Sequence, residues 1–220
     1  MKRLYHFTST KHAFDDIRNR RLKIAQLEDL NDPFEFQAVN LCDPVHAQAF
    51  YGIPKAGSIG FLAEIARRFG VLCFSEDKSD LLQWAHYADH HRGICLGFDV
   101  ESEGKFGPVE YVSERLPWPE QLDQNFMWEL LRTKSVDWKY EKEWRVFTQM
   151  KEGISDKCTG RVLYFADFGA ELILREVILG AANKSDATDV HGAIKGYPET
   201  VDIQRMHLTC DTFKLECRPA

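Results

Sequence analysis

The chain has 220 residues, of which 44% are hydrophobic and 28% are charged, and its formal net charge is −6. This size and composition are typical of a soluble globular chain, and we predict a single domain over residues 1–220. The negative charge argues against broad electrostatic binding to nucleic acid or to an anionic membrane.

Cysteine usage and the N-terminus point to a cytoplasmic protein. The six cysteines lie far apart and form no C-x-x-C pair, which argues against a zinc ribbon or a redox motif. The N-terminal residues are basic but lack the apolar segment of a signal peptide. No apolar run approaches the roughly 20 residues of a transmembrane helix. We therefore expect a reducing cytoplasmic location and no membrane partner.

Short apolar runs and three-to-four spacings define the elements of the first hundred residues. Thr8, Ser9 or Thr10 can cap the first helix, and Ser79 or Asp80 can cap the helix that starts at residue 81. The predicted elements are strand 4–7, a helix through residue 20, strand 22–25, a turn-rich segment 27–35, helices 44–51 and 58–69, strand 71–75, helix 81–90 and strand 94–99.

The rest of the chain follows the same pattern of short strands and scattered helices. The predicted elements are turn 104–108, strand 109–112, helix 120–134, strands 161–165 and 172–179, helix 185–195 capped by Ser185, strand 201–206 and edge strand 213–217. Residues 171–175 could also be helical. Because strands and helices do not alternate regularly, we predict an α+β fold with mixed, mostly antiparallel sheets and flanking helices.

Residues 138–147 combine aromatic side chains with close charges, and two conformations lead to different functions. If the segment is extended, Glu141, Glu143 and Arg145 share one face, and the two carboxylates could divide catalytic labour. The alternative use of that face is a charged strand with Arg145 as a salt-bridge partner. If the segment is helical, Glu141 and Glu143 point apart, and an ordinary charged helix results.

Residues 80–93 carry a helical face of aromatic residues and two histidines four residues apart. Trp84 and Tyr87 lie on that face, which is more typical of a core than of a ligand pocket. His86 and His90 could supply two metal ligands from one helix face. No third ligand accompanies them, so we expect no metal.

Two further segments have both a structural and a functional interpretation. His6 is either a hydrogen-bonded interior residue or a group that holds a ribose hydroxyl or phosphate at the lip of a cleft. Residues 31–35 form either a turn capped by Asn31 and Asp32 or a loop that closes over a ligand. The chain has no glycine-rich phosphate loop and no G-x-S-x-G elbow, which argues against P-loop, dehydrogenase and serine-hydrolase chemistry.

Five motifs resemble those of a widespread bacterial family of uncharacterised proteins. They are L-Y-H-F-T at 4–8, N-D-P-F-E at 31–35, C-F-S at 73–75, W-x-H-Y-A-D-x-H-x-G at 84–93 and W-x-Y-E-x-E-W-R at 138–145. The resemblance covers about residues 4 to 180. Some members of this family are associated with phage-defence and abortive-infection loci.

The order of His6, Ser75 and Glu143 along the chain is also similar to that of ADP-ribosyltransferases. The similarity implies that His6 holds the ribose of NAD and that Ser75 or Tyr87 lines the nicotinamide pocket. It implies that Glu143 bonds the nicotinamide ribose and stabilises an oxocarbenium-like transition state, while Glu141 orients the acceptor. The chain departs from that family in lacking an S-T-S triplet and in carrying the 84–93 block.

The similarity to ADP-ribosyltransferases therefore implies an ADP-ribosyltransferase-like domain with NAD as its substrate. We expect it to transfer ADP-ribose to an unknown protein or nucleic-acid acceptor, or to hydrolyse NAD, in phage defence. The predicted catalytic residues are Glu143 and Glu141, and the predicted NAD-binding residues are His6, Thr8, Ser75, Tyr87, Trp84 and His86. The alternatives are a catalytically silent ligand- or protein-binding module and, with weaker support, a metal-dependent nuclease that uses His86 and His90.

Overall fold

A computed structural model of the chain describes residues 1–51, 61–101, 106–150, 152–156 and 159–220. The helices are α1 Thr10–Asn19, α2 Pro44–Tyr51, α3 Phe61–Arg68, α4 Leu81–Tyr87, α5 Gln124–Arg132 and α6 Ala187–Ala193. The first strands are β1 Lys2–Thr8, β2 Arg21–Ile24, β3 Phe69–Ser75, β4 Ile94–Val100, β5 Phe106–Pro108, β6 Glu110–Val112 and β7 Thr133–Ser135. The later strands are β8 Glu143–Gln149, β9 Ile154–Ser155, β10 Val162–Asp167, β11 Leu172–Leu179, β12 Asp202–Leu208 and β13 Leu215–Pro219.

An eight-stranded sheet organises the described part of the chain. Its strand order is β13-β12-β11-β4-β1-β3-β8-β5. Neighbouring strands are antiparallel apart from β11 and β12, which are parallel and are connected through α6. Two small sheets accompany it, an antiparallel β2-β10-β9 sheet and a parallel β6-β7 pair. The predicted mixed, mostly antiparallel α+β architecture is therefore confirmed.

The two faces of the main sheet bury different sets of side chains. On one face, Leu4, Leu96 and Phe98 pack with Ile17 of α1 and Val190 of α6. On the opposite face, α4 covers β1 and β4, and smaller clusters continue under β3 and β8. Alternation of side chains along each strand supplies both layers from the same strands. The polar side chains of β3 and β8 consequently share the second face with α4.

Local signals placed the start of α1 and α4 correctly. The Ser9 hydroxyl accepts the His12 amide, and the Asp80 carboxylate accepts the amides of Leu82 and Gln83. These bonds satisfy backbone donors that the first turn of a helix leaves unpaired. In α6 the predicted cap is shifted by one residue, because Asp186 rather than Ser185 forms the capping box.

The predicted helix 81–90 is too long. Helix α4 ends at Tyr87, and Asp89, His90 and His91 all have positive φ angles. The left-handed turn brings the amide of Gly93 to the carbonyl of Ala88. A Cβ on Gly93 would lie 2.2 Å from a backbone oxygen of β1, so only glycine fits. His86 and His90 therefore do not share a helix face, so the arrangement of two ligands on one helix that their spacing would permit does not form.

Other boundaries also differ from the predictions. Helix α5 is shorter than 120–134, because Asp123 caps its start and the chain becomes β7 at Thr133. Phe69 opens β3 instead of ending a helix, and residues 106–108 form a strand instead of a turn. Residues 58–60 of the predicted helix and 104–105 of the predicted turn lie outside the described residues.

The helices in the described part of the chain are all too short or too polar to cross a membrane.

We predict that Asp16 makes the free energy of unfolding fall as pH rises. Its side chain is 5% exposed in α1, and burial together with the charge of Asp15 raises its pKa to about 7. A group whose pKa is higher in the folded state contributes stability at low pH, which is lost between the unfolded value near 4 and the folded value near 7.

Asp16→Asn should therefore raise the free energy of unfolding at pH 8 by roughly 1–4 kcal/mol, and by much less at pH 4, since each pH unit of pKa difference is worth about 1.4 kcal/mol. Urea unfolding followed by circular dichroism at both pH values measures this. Asp211→Asn in an exposed loop is the control. An equal effect of Asp16→Asn at both pH values would contradict the prediction.

Candidate functional site

A cavity of about 370 Å³ lies on the second face of the main sheet, where β1, β3 and β8 form its floor. Helix α4 forms one wall, and the segment after β2 forms the other. The polar and charged side chains that line it are Tyr5, His6, Lys23, Asp29, Asn31, Glu35, Cys73, Ser75, Gln83, His86, Tyr87, Lys134, Glu141, Glu143 and Arg145. Six of the eight predicted site residues are among them.

A larger cavity, of about 1000 Å³, lies between the main sheet and the β2-β10-β9 sheet. The side chains of Leu72, Val146 and Tyr164 line it, and none of the predicted site residues does. The smaller cavity is therefore the candidate site.

The chain conformation at residues 141–143 is neither of the two that were predicted for the whole segment. A 3-10 helix, Val136–Glu141, ends at Glu141, and β8 begins at Glu143. Between them Lys142 adopts the left-handed conformation, with φ of 45°. Glu143 and Arg145 share a strand face as the extended interpretation requires, but Glu141 belongs to the helix. The two carboxylates still approach each other, because both contact Lys134.

Two side chains fix the backbone of Glu141. The Ser75 hydroxyl donates to its carbonyl oxygen at 2.6 Å, and the Gln83 amide donates to the same oxygen at 3.1 Å. Ser75 and Gln83 are 2% and 5% exposed, so these bonds are shielded from water. The Ser75 hydroxyl therefore positions the segment that carries Glu141.

Glu143 is held by two cations in the cavity wall. Its carboxylate accepts Arg145 Nε at 2.8 Å and Nη2 at 3.0 Å, and Lys134 Nζ lies 3.4 Å away. Arg145 also donates to both oxygens of Glu35 and to the carbonyl of Leu131. Burial alone would raise the pKa of Glu143, but the charges of Arg145 and Lys134 outweigh it and lower the pKa to about 2.

Glu141 has the opposite electrostatic environment. Burial and the nearby charge of Glu143 raise its pKa, although Lys134 and Tyr87 oppose the shift. Lys134 Nζ lies 2.6 Å from one carboxylate oxygen, and the Tyr87 hydroxyl donates a short hydrogen bond to the other. Tyr87 in turn accepts the Asn31 amide at 2.9 Å. The site thus contains two neighbouring carboxylates whose pKa values are shifted in opposite directions.

His6 reaches the cavity from the junction of β1 and β3, which pair at Tyr5 and Ser75. Its Nδ1 lies 3.0 Å from the Cys73 carbonyl oxygen, and burial lowers the pKa of the imidazole. A neutral imidazole that donates from Nδ1 keeps Nε2 as an acceptor. In that tautomer Nε2 is the ring atom with acceptor capacity.

The other predicted residues occupy different positions. His86 lies exposed at the rim, with Nδ1 2.9 Å from the Tyr140 hydroxyl. Trp84 is fully buried in the core, and its indole donates to the Lys78 carbonyl. Thr8 ends β1 opposite Ile94. Neither Trp84 nor Thr8 lines the cavity.

Sequence reasoning named Arg145 as a salt-bridge partner, and the structure contains that ion pair with Glu143, but the contacts of the site amides were missed. Lys134 and Gln83 lie in ordinary helical patterns that give no local signal of a role. Asn31 and Glu35 were within the 31–35 motif, but its interpretation as a turn or a closing loop assigned them no contacts. Among the described residues, no group of three His, Cys, Asp or Glu side chains is arranged to hold a metal ion.

Residues 83–146 match the model of a family described as Protein of unknown function (DUF2971). The predicted resemblance to a family of uncharacterised proteins is confirmed over this segment. The DUF2971 match contains Lys134, Glu141, Glu143 and Arg145, whereas His6 and the 31–35 loop precede it. No curated protein and no solved structure matches the chain.

We predict that Arg145→Met lowers the free energy of unfolding by about 3–5 kcal/mol, because it leaves the buried carboxylates of Glu35 and Glu143 without their shared cation. Urea unfolding at pH 7 measures the change. The control is Arg218→Met, which breaks an exposed pair with Glu216 and should leave the unfolding midpoint unchanged. Equal midpoints for both variants would show that Arg145 does not hold the site together.

Proposed function

We propose that the cavity binds NAD and that the protein breaks the bond between nicotinamide and ribose. The ADP-ribose would pass to a protein or nucleic-acid acceptor, or to water. The observation that supports this proposal best is the pair of carboxylates, Glu141 and Glu143, with opposite pKa shifts in the wall of one cavity. Such a pair suits a reaction that needs one permanently charged group and one group that takes up a proton.

The permanently charged group is Glu143. When the C1′–N bond breaks, nicotinamide leaves with the bonding electron pair, and positive charge develops on the ribose ring. A fixed carboxylate in a site shielded from water stabilises such charge more strongly than it would in solution. Glu143 would supply this stabilisation, and Arg145 and Lys134 would keep it ionised and oriented.

The proton-accepting group is Glu141. The acceptor oxygen forms the new bond to C1′ and must lose its proton. A carboxylate whose pKa is raised is a better base than an ordinary one, provided it is ionised when the acceptor arrives. Lys134 and Tyr87 contact Glu141 from two sides and would leave it facing the ligand.

The charge of the cavity wall agrees with this chemistry. Glu35, Glu141 and Glu143 face Lys134 and Arg145, so three carboxylates meet two cations and leave one negative charge in excess when all are ionised. An excess negative charge favours the cationic pyridinium of NAD and the cationic transition state over neutral analogues. The volume lies within the usual range of small-molecule sites.

A catalytically silent binding module is the second candidate, and the burial of Glu143 favours it. Its side chain is only 5% exposed and contacts both Arg145 and Lys134. A carboxylate in that position could act only as part of the scaffold. The nuclease alternative has no comparable support, because α4 ends before His90 and His86 contacts Tyr140. A role in phage defence is proposed from the sequence resemblance alone.

We predict that the purified protein releases nicotinamide from NAD labelled in the nicotinamide ring. Glu143→Gln and Glu141→Gln should each lower the rate by about 100-fold, the usual effect of removing one electrostatic group from a transition-state site. Release is measured by chromatography, with and without mixed proteins and nucleic acids as acceptors.

Glu176→Gln is the matched control, because Glu176 is a buried carboxylate that pairs with Arg3 and Lys78 outside the cavity. It should retain the wild-type rate. NAD binding by calorimetry without release under any condition would support the silent module. Neither binding nor release would reject NAD as the ligand.

A further inference from the structure

We propose that Asn31 is a positioning residue that directs the hydroxyl proton of Tyr87 onto Glu141. The geometry forms a chain of three groups from the protein surface to the cavity. Asn31 Nδ2 donates to the Tyr87 oxygen at 2.9 Å, and the Tyr87 hydroxyl donates to Glu141 Oε1. The inference rests on the proposed function, in which Glu141 is the base.

The direction of the bonds follows from the number of protons available. A tyrosine hydroxyl has one proton and can donate only once. Because the Asn31 amide approaches the Tyr87 oxygen as a donor, the hydroxyl proton is free for Glu141. A carboxylate that accepts such a bond is stabilised in its ionised form. Asn31 therefore favours the form of Glu141 that can take up a proton, although it does not contact Glu141.

The loop that carries Asn31 is held firmly at its other end. Glu35 is 8% exposed and receives two hydrogen bonds from the Arg145 guanidinium. Asp32 accepts the amide of Phe34, which closes the turn between the two ends. The 31–35 loop thus links both catalytic candidates, since Asn31 acts on Glu141 through Tyr87 and Glu35 shares Arg145 with Glu143.

Several other groups act on Glu141, and the test must separate them from Asn31. Lys134 approaches from β7 and Glu143 from β8, and Tyr140 lies next to Glu141 on the 3-10 helix. Arg145 and Glu35 are coupled to Glu141 through Lys134. Of these groups, Tyr140 also contacts Tyr87, so the shift in Tyr87→Phe alone includes any effect of Tyr140. Comparing an Asn31 substitution with and without the Tyr87 hydroxyl isolates the contribution of Asn31.

The test is a carbon NMR titration of protein labelled at the glutamate side-chain carboxyl carbons. The Glu141 resonance is identified by its loss in Glu141→Gln. Tyr87→Phe keeps the ring and should fold normally, and it should raise the pKa of Glu141 by about one pH unit, the value of one hydrogen bond to a charged group. An unchanged or lower pKa in Tyr87→Phe would overturn the proposal.

A double-mutant cycle isolates Asn31. An aspartate at position 31 accepts but does not donate, so Asn31→Asp should turn the Tyr87 hydroxyl away and raise the pKa of Glu141. In the Tyr87→Phe background the same substitution should add less than half of that shift. An equal shift in both backgrounds would mean that charge alone acts on Glu141, and it would reject the positioning role. Asn125→Asp, on the exposed start of α5, is the control and should leave the pKa unchanged.

The titration does not depend on turnover, so it separates this inference from the proposed function. If NAD is the substrate, the acid limb of the rate–pH profile should move to higher pH in Tyr87→Phe by the same amount as the pKa. A shifted pKa without any release of nicotinamide would uphold the positioning role and reject the NAD reaction. An acid limb that stays in place while the pKa moves would show that Glu141 is not the base.

Discussion

The buried guanidinium of Arg145 is the constraint on which the candidate site depends. A charge that is 1% exposed is tolerated in a protein interior only when carboxylates and carbonyls surround it. Glu35, Glu143 and the Leu131 carbonyl meet that need from the 31–35 loop, β8 and α5. Because the fork of arginine donates in fixed directions, it also sets where these three elements lie relative to one another.

The carboxylates of Glu141 and Glu143 are unequal because they share one cation but not the other. Lys134 contacts both Glu141 and Glu143, whereas Arg145 contacts only Glu143 of the two. The carboxylate with two cationic partners has a lowered pKa, and the one with a single cation and a phenol has a raised pKa. This difference in pKa follows from the conformation of Lys142, the residue between the two carboxylates. Because Lys142 is left-handed, Glu141 lies outside β8 and does not contact Arg145. A fully extended chain would have placed both carboxylates on the same side of β8 with the same partners.

Much of the fold could be predicted from the sequence because its signals are local. Alternating and apolar runs marked β1, β3, β4 and β11, and Ser9 and Asp80 marked the starts of two helices. The candidate site was predictable only in part, through His6, Ser75, Tyr87 and the Glu-x-Glu motif. The Gln83 amide bonds the Glu141 carbonyl across 58 residues of sequence, and no local pattern encodes that contact. Lys134 contacts Glu141 and Glu143 over only seven and nine residues, but a helix predicted through residue 134 does not indicate the change to β7 and the 3-10 helix that brings them together. The position of Trp84 in the core could not be predicted either, because its helical spacing is compatible with either a core or a pocket.

The residues that match DUF2971 do not include every residue that forms the candidate site. Residues 83–146 contain Lys134, both carboxylates and Arg145, but they do not contain the groups that keep these charges buried. Glu35 comes from the 31–35 loop, and the hydroxyl that fixes Glu141 comes from Ser75 at the end of β3. β3 is also the strand that pairs with β8 from Glu143 to Gln149. Without these partners Arg145 would lose one of its two carboxylates, and the Glu141 carbonyl would keep only the Gln83 amide as a donor. The matched segment therefore holds both candidate carboxylates and the partners that make their pKa values unequal, and the first 75 residues supply Glu35 and Ser75, which help to bury and fix them.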